Sequence, residues 1–224
     1  MKLFAYCTLL VVLFSCKPAP EKEVVATPEN LTISEKIAKA HGIDAWGNVY
    51  EIAYTFNVDR DGKHFERSWS WKPKLNEVVL TTANDTIAYN RSKQDSLTLR
   101  ADMGFINDKY WLLAPFNLVW DKGLKETYTE KATAPISGET MQKLTIVYEG
   151  EGGYTPGDAY DFYFGDDYLI KEWVFRKTNA PEPGLITTWE DYQEYNGLKI
   201  ATKHVKNEGD WKLSFTNIKV TPKS

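Results

Sequence analysis

The feature that most constrains the fold is the alternation of apolar and polar residues in long, aromatic-rich runs. In the stretch NVYEIAYTFNV (48–58), five apolar residues share one parity: Tyr50, Ile52, Tyr54, Phe56 and Val58. The stretch HFERSWSWKP repeats the pattern with Phe65, Trp69 and Trp71. Because successive side chains of a strand point to opposite faces, each stretch is predicted to be a β-strand with one apolar face.

Further strand-like stretches bring the predicted number of strands to about ten. They are EVVLTT, DTIAYN, QKLTIVYE, AYDFYFG, YLIKEWVFR, LITTWEDYQEY, LKIATKHVK and WKLSFTNIKV. Short turn sequences such as DRDGK, GDD and YNGLK join many of them, and the pair Asn196-Gly197 is a strong hairpin signal. Strands joined by hairpins are antiparallel, so the sequence predicts a long antiparallel meander rather than βαβ units.

Two segments have helical rather than strand-like character. In LTISEKIAKAHG, Thr32 and Glu35 have capping-box spacing and Gly42 is a stop signal, which predicts a short amphipathic helix before the first strand. The block GFINDKYWLLAPFNLVWDKG (104–123) is the most apolar part of the chain beyond its N-terminus. Pro115 is expected to end any helix there near Leu113. This block lies between two groups of strands and is predicted to cover an apolar surface.

The N-terminal residues resemble an export signal. An apolar run from Leu3 to Phe14 follows Lys2; it is shorter than the ~20 residues that span a bilayer. Such a run is typical of a secretory signal. The stretch Leu13-Phe14-Ser15-Cys16 resembles the lipobox of bacterial lipoproteins, which implies that Cys16 is acylated after residues 1–15 are removed. An ordinary secretory peptide with a chance cysteine is the alternative.

The residues after the signal divide into a tether and one domain. Residues 16–31 include KPAPEKEVVATPEN, which is Pro-rich, charged and without apolar periodicity, as flexible tethers are. Residues 32–224 have a length that suits one antiparallel β domain. The sequence therefore predicts a signal peptide over 1–15, a lipidated tether over 16–31 and a single domain over 32–224.

Cysteine usage and charge exclude several kinds of function. The two cysteines are Cys7, inside the signal, and Cys16, so the exported body has no disulfide. Removal of residues 1–15 takes away Lys2 alone, which leaves 26 of the 27 Lys and Arg against 31 Asp and Glu, a net charge of −5. These charges are mixed along the chain without a basic stripe, so no nucleic-acid partner is expected.

One stretch partly matches a calcium-binding loop. In NVDRDGKHFERS, Asn57, Asp59, Asp61 and Gly62 occupy positions 1, 3, 5 and 6 of an EF-hand loop. Position 12 is Ser68 rather than an acidic ligand, and the flanks are strand-like. A hairpin turn accounts for the stretch, and no calcium site is expected.

The sequence carries no recognisable catalytic arrangement. His41, His64 and His204 are far apart and lack the spacing of a metal site, and His204 is expected at the surface or rim. No G-x-S-x-G turn is present. Acidic turns between strands account for the carboxylates around YTPGDAYDFYFGDD: Asp158, Asp161, Asp166 and Asp167. We expect a non-enzymatic protein that has neither a metal nor a cofactor.

The order of elements resembles the LolA/LolB-type lipoprotein-carrier superfamily and, within it, a family of uncharacterised bacterial lipoproteins. The stretches that carry the resemblance are AHGIDAWGNVYEIAYTF, DKYWLLAPFNLVW, YDFYFGDDYLIKEW and TWEDYQEYNGLKIATKH. It extends over residues 33–220. It implies a mainly β (α+β) fold: one strongly curved antiparallel sheet of about ten strands, forming a half-barrel, with short helices packed in its concave side.

The resemblance also implies a hydrophobic cavity. In the carriers, the concave side holds acyl chains of lipids or lipoproteins, and an arginine gates it. Arg67 lies on a strand at about the corresponding place in the order of elements, and a solvated charge is the alternative for this residue. The turn TANDT (82–86) is polar where the membrane-anchored acceptor of the family has an apolar, protruding loop. The predicted cavity residues are the large ones on apolar faces, for each of which plain core packing is the alternative: Tyr50, Tyr54, Phe56, Trp69, Trp71, Trp111, Phe162, Trp173 and Trp189.

Two functions are compatible with these predictions. The first is an outer-membrane lipoprotein of a gram-negative envelope, on its periplasmic or outer face, that binds an acyl chain, lipid or lipoprotein in the cavity without catalysis. The second is an interaction protein with a filled interior, which holds another envelope protein by its surface or open sheet edge. An open cavity favours the first function, and a cavity plugged by residues 104–123 favours the second.

Overall fold

The structure, a computed structural model, describes residues 31–149 and 156–224. The predicted signal peptide, Cys16 and nearly all of the predicted tether lie outside these residues. The unit from Leu31 to Ser224 contains both sheets, all three helices and a continuous hydrophobic core. A unit with its own core has the properties of a domain that folds by itself.

The described residues contain twelve β-strands, which form two antiparallel sheets. In chain order the strands are β1 Val49–Arg60, β2 Lys63–Lys72, β3 Glu77–Thr81, β4 Thr86–Asn90, β5 Leu124–Thr133, β6 Thr140–Tyr148, β7 Ala159–Phe164, β8 Ile170–Arg176, β9 Leu185–Thr188, β10 Glu190–Tyr195, β11 Leu198–Val205 and β12 Lys212–Pro222. The order is β10-β11-β12-β1-β2-β3-β4 in the first sheet and β5-β6-β7-β8-β9 in the second. The predicted mainly β, antiparallel fold is confirmed.

The two sheets meet in one extended segment, residues 185–195. Only Trp189 separates β9 from β10, and its backbone N–H donates to the carbonyl of Lys171 (2.7 Å), so the pairing with β8 continues through it. From Glu190 onward the segment pairs with β11 instead. The two sheets together therefore form one curved surface, and within the described residues its edges, β4 and β5, do not pair with each other.

The strand count exceeds the prediction for two reasons. The stretch LITTWEDYQEY was predicted as one strand, and the transfer between sheets divides it into β9 and β10. The prediction also missed β5, LKETYTEKAT, an edge strand whose residues are mostly exposed. Because β5 buries little on either side, it has no apolar face and gives no alternating pattern.

In the part of the chain that the structure describes, three α-helices accompany the sheets: α1 Ile33–Ala40, α2 Ile43–Trp46 and α3 Ser96–Trp120. The capping box that begins α1 is confirmed, since Glu35 N–H donates to Thr32 Oγ1 (3.2 Å) and Thr32 N–H to Glu35 Oε2 (2.7 Å). After α1, Gly42 has φ +90°, a left-handed conformation that glycine adopts without strain. A Cβ at this position would lie 1.9 Å from the carbonyl oxygen of Gly197, so only glycine fits.

The long helix α3 includes most of the apolar block and passes through its proline. It begins at Asp95, whose side chain accepts from the Thr98 N–H (2.8 Å). The break predicted near Leu113 is present as a kink, since the backbone leaves helical geometry at Leu113 (φ −128°, ψ 21°). A second helical segment then follows and contains Pro115, so the apolar block does not stop being helical there. Proline removes one backbone hydrogen bond and kinks a helix, while burial of the residues that follow holds them helical. No helix among the described residues is both long and apolar enough to cross a membrane.

The hairpin turns agree with the prediction. Asp61 (φ 52°) and Gly62 (φ 69°) join β1 to β2, and Asn196 (φ 51°) and Gly197 (φ 84°) join β10 to β11. Two successive positive φ angles are typical of type I′ turns. The residues that resemble an EF-hand belong to the first of these hairpins, in which Asn57 lies inside β1 and donates to two backbone carbonyls.

Aromatic contacts attach α3 to both sheets. Phe105 packs edge-on against Trp69 and Trp71 of the first sheet, with ring centroids 5.5 and 5.4 Å apart. One and a half turns further along, Trp111 packs on Trp173 of the second sheet at 4.4 Å. The helix therefore lies across the curved surface and covers its apolar side, as the resemblance implied.

Candidate functional site

A cleft of about 1050 Å³ remains open along one face of α3. The helix lines it with Met103, Ile106, Asn107 and Tyr110, whose spacing places them on a single face. The opposite wall comes from strands of both sheets, with Phe56, Tyr148, Tyr160, Trp173, Phe175 and Leu213 among its residues. The cleft thus has one helical wall and one sheet wall.

One part of the cleft, here called the aromatic section, consists of Tyr110, Trp111, Tyr160, Trp173, Phe175 and Trp211. The ring centroid of Tyr110 lies 4.9 Å from that of Tyr160, which lies 5.2 Å from that of Phe175. Trp111 lies 6.0 Å from Trp211. Rings at these separations form a continuous apolar surface with polar edges, a suitable contact for hydrocarbon.

The other part, the polar section, consists of Lys109, Asn117, Trp120, Asp121 and Tyr148. Lys109 Nζ donates to Asn117 Oδ1 (3.3 Å) and lies 5.8 Å from the ring centroid of Trp120. The Tyr148 hydroxyl donates to Asp121 Oδ2 (2.8 Å) and lies 3.1 Å from the hydroxyl of Tyr110. The two sections therefore meet at the Tyr110–Tyr148 contact.

Lys109 is the most unusual group in the cleft because its ammonium is buried. Its exposed fraction is 9%, and among the described residues no carboxylate lies within 4 Å of its Nζ. Burial lowers its pKa from 10.5 to about 8; Asp121 and Asp102 act in the opposite direction, and Arg91 acts with burial. Desolvation disfavours the charged form of a lysine. Burial likewise raises the pKa of the Tyr148 hydroxyl, which stays protonated.

The structure divides the nine predicted cavity residues into three groups. Phe56, Trp111 and Trp173 line the cleft. Five others are buried in the core around it: Tyr54, Trp69, Trp71, Phe162 and Trp189. For these five, the core-packing alternative describes their position, because α3 and its neighbours cover them.

Tyr50 is the exception, since it does not face the concave side at all. It is 42% exposed, whereas Val49 before it is buried. The register between β1 and β12 shifts between Val49 and Glu51, which marks a β-bulge. An extra residue in one strand reverses the alternation, so Tyr50 points outward and its predicted cavity position is wrong.

Several cleft residues were not singled out by the sequence prediction: Lys109, Tyr110, Tyr160, Phe175 and Trp211. The signal for the helical wall was present as the i, i+3, i+4, i+7 spacing from Met103 to Tyr110. That spacing identifies a face but not what lies opposite it. The position of Lys109 depends on the depth at which α3 lies.

Arg67 is half-buried and ion-paired rather than a solvated charge. Its Nε and Nη2 donate to the two oxygens of Asp108 (2.6 and 2.7 Å), which also accepts from the Trp69 indole N–H (2.7 Å). Asp108 is fully buried. Arg91 binds the equally buried Asp102 of α3 through its Nε (2.8 Å). Two ion pairs, each between a half-buried arginine and a fully buried carboxylate of α3, thus attach α3 to the first sheet.

The three histidines occupy separate positions. The ring of His204 is fully buried between Trp111 and Trp189, so its predicted surface position is wrong; burial lowers its pKa to about 3. Burial lowers the pKa of His41 to about 4, and the exposed His64 contacts Asp59 (2.7 Å). In residues 31–149 and 156–224, no three His, Cys, Asp or Glu side chains are grouped so as to hold a metal ion.

The four carboxylates in and around β7 differ in burial and in the groups that they contact. Asp161 is buried and accepts from Arg176 and from Thr145 Oγ1 (2.5 Å). Asp158 accepts from the backbone N–H of Thr178 (2.7 Å), while Asp166 and Asp167 lie exposed in the turn. These contacts give the two buried carboxylates structural roles.

No family model matches the chain, and no curated protein matches it. Among solved structures, a DUF1329 family protein from Desulfovibrio piger is 10% identical, with a TM-score of 0.48 over 84% of this chain and 91% of that chain. A domain from Vibrio parahaemolyticus, provisionally assigned to outer membrane lipoprotein sorting, is 8% identical, with a TM-score of 0.43 over 84% and 93%. With TM-scores below 0.5, we draw no functional conclusion from either likeness. The geometry by itself defines a curved antiparallel sheet with a helix on its concave side and an open aromatic cleft between them.

Proposed function

We propose that this protein is a membrane-anchored envelope lipoprotein that binds a hydrophobic ligand, such as the acyl chain of a lipid or lipoprotein, in the cleft beside α3. The observation that carries the proposal is the cleft itself. Its volume of about 1050 Å³ slightly exceeds the range of roughly 300–1,000 Å³ for small-molecule sites, so it has room for a ligand of that size. The aromatic section gives it the apolar lining that such sites have.

The energetics favour a chain-like apolar ligand. Each methylene transferred from water into an apolar site contributes about 0.8 kcal/mol before ordering costs. The aromatic section presents the rings of six side chains along the cleft, so that a ligand with a linear hydrocarbon chain contacts several of them at once. We propose that binding is the whole function and that no chemical step takes place.

The anchor is proposed from the sequence, because Cys16 lies outside the described residues. A multiply acylated cysteine holds a protein on a membrane far more firmly than a single chain does. A tether of about 15 residues, extended at roughly 3.1 Å per residue, places the domain up to ~45 Å from the bilayer. The polar turn at 82–86, between β3 and β4, has little to insert into lipid.

The anchor is tested with Cys16→Ser in the full chain. We expect the variant to leave the detergent phase and the membrane fraction, where the wild-type protein is found. Partitioning that is unchanged by the substitution would eliminate the lipid anchor while leaving the ligand-binding proposal open.

The ligand-binding proposal is tested with residues 31–224, purified gently and examined by native mass spectrometry before and after solvent extraction. We expect a co-purifying lipid or uptake of a fluorescent fatty-acid analogue. Trp211→Ala, in the wall of the cleft, is expected to weaken uptake about tenfold, or about 1.4 kcal/mol, whereas Tyr50→Ala on the outer face leaves it unchanged.

The same experiment discriminates against the alternative function. Because α3 and five of the predicted cavity residues already fill much of the interior, a protein-binding role with a filled core is the second candidate. An empty protein that takes up no fatty-acid analogue would contradict the cleft proposal and direct the search to protein partners.

A further inference from the structure

We propose that the ligand of the cleft carries an acidic head group, a carboxylate or a phosphate monoester, and that Lys109 binds it while the hydrocarbon chain lies along the aromatic section. This inference rests on the proposed function and specifies its ligand class. It is carried by the unpaired, buried ammonium group in the wall of the cleft.

The hydrogen bonds of Lys109 are incomplete. An ammonium group has three donors, and among the described residues only Asn117 Oδ1 accepts one of them, at 3.3 Å. The ring of Trp120, 5.8 Å away, is the other favourable contact. Buried charges in proteins are almost always paired, and this one lines an open cleft, so the structure leaves room for a counter-ion from a ligand.

The charges around Lys109 favour an anion. Asp121, which attracts it, lies farther than 4 Å away and accepts from the Tyr148 hydroxyl. Asp102 is engaged by Arg91, so these two charges offset each other. Asp158, another carboxylate of the cleft, accepts from the Thr178 N–H. Lys122 also lines the cleft, but it is exposed and solvent screens its charge. Lys109 is therefore a buried positive charge of the cleft with no described carboxylate within 4 Å.

The head-group and chain positions are continuous with each other. Lys109 and Tyr110 both line the cleft, and Tyr110 contacts both Tyr160 (4.9 Å) and Trp173 (6.1 Å) in the opposite wall. An oxyanion at Lys109 therefore places the first methylenes of an attached chain beside the rings of the aromatic section. A neutral ligand of the same length would occupy the chain position and leave the ammonium unpaired.

The test compares three ligands that share a ten-carbon chain: decanoate, decyl phosphate and decanol. Their affinities for residues 31–224 are measured by isothermal titration calorimetry at pH 7, for the wild type, Lys109→Met and Lys122→Met. Lys122→Met is the matched control, since it removes a lysine at the same cleft that is exposed. Circular dichroism checks folding, and Lys109→Gln replaces Lys109→Met if the latter does not fold.

We expect at least one of the anions to bind the wild type and Lys122→Met about tenfold more tightly than decanol. This factor corresponds to about 1.4 kcal/mol, close to the contribution of a hydrogen bond to a charged group. Lys109→Met is expected to lose this advantage while it binds decanol as the wild type does. The anion with the larger advantage distinguishes a carboxylate from a phosphate head group.

Two outcomes would overturn the inference in different ways. Equal affinities for all three ligands in the wild type, or an advantage of the anions that persists in Lys109→Met, would refute the head-group assignment and leave binding in the cleft intact. A wild-type protein that binds none of the three would refute the proposed function and this inference with it.

Discussion

Replacing Lys109 by methionine removes a buried charge and retains a long, flexible side chain, so its effect on stability should depend on pH. In the folded protein, burial lowers the pKa of Lys109 to about 8, against an ordinary value of 10.5 in an unfolded chain. The folded state thus disfavours the charged form. The free-energy cost of burying the charged lysine is fully present below pH 8. It falls as the pH rises from 8 to 10.5, because in this range the unfolded chain binds more protons than the folded protein does.

The size of the effect follows from the two pKa values. They differ by about 2.5, and each pKa unit is worth 1.36 kcal/mol, so charged Lys109 destabilises the folded state by about 3 kcal/mol at pH 7. At pH 10 the same relation leaves about 1 kcal/mol. Packing differences between lysine and methionine do not vary with pH. The free-energy advantage of Lys109→Met over the wild type should therefore fall by about 2 kcal/mol between pH 7 and pH 10.

Urea denaturation of residues 31–224 at pH 7, 8, 9 and 10, without ligand, measures this change. Other titrating groups act equally in both proteins and cancel in the difference. The control is Lys122→Met, because Lys122 is exposed and its removal should give a difference that is constant with pH. A Lys109→Met advantage that is the same at pH 7 and pH 10 would show that the ammonium is not buried, and the reasoning about the polar section would fail.

Two further predictions concern the framework that holds the cleft. Asp108→Asn removes the buried charge that binds Arg67 and should lower the free energy of unfolding by about 3 kcal/mol. The control is Asp44→Asn, in an exposed ion pair, which should change the free energy of unfolding by less than ~0.5 kcal/mol. Urea denaturation measures both. Similar losses of unfolding free energy in Asp108→Asn and Asp44→Asn would show that burial does not make the Asp108 ion pair more important for stability. Gly42→Ala brings a Cβ onto the carbonyl of Gly197 and should lower stability by about 2 kcal/mol or more, while Gly47→Ala has open space and should be nearly neutral in thermal melts.

Local features of the sequence determined most of the secondary structure. Apolar and aromatic strand-like runs identified ten extended segments, and the Thr32–Glu35 capping box identified α1. The Asn196-Gly197 pair identified its hairpin. Each of these signals acts within a few residues, through side-chain direction, backbone hydrogen bonding or allowed φ angles, and therefore survives in the sequence alone.

Only the tertiary structure decided which residues form the cleft. The bulge that turns Tyr50 outward depends on how β12 pairs with β1, a partner more than 150 residues away. The kink that Pro115 imposes did not end α3, because the residues after it are held by burial against the sheets.

The polar section of the cleft is the clearest example of a feature that only the tertiary structure decided. Lys109 lies between Asp108 and Tyr110 in the middle of α3, and nothing in this stretch of sequence indicates that its ammonium group is buried. It is buried because α3, attached by Asp102 and Asp108, lies deep against the curved sheet. Periodicity tells which face of a helix is apolar, but the open space beside that helix depends on the packing of all the elements around it, which no single stretch of sequence encodes.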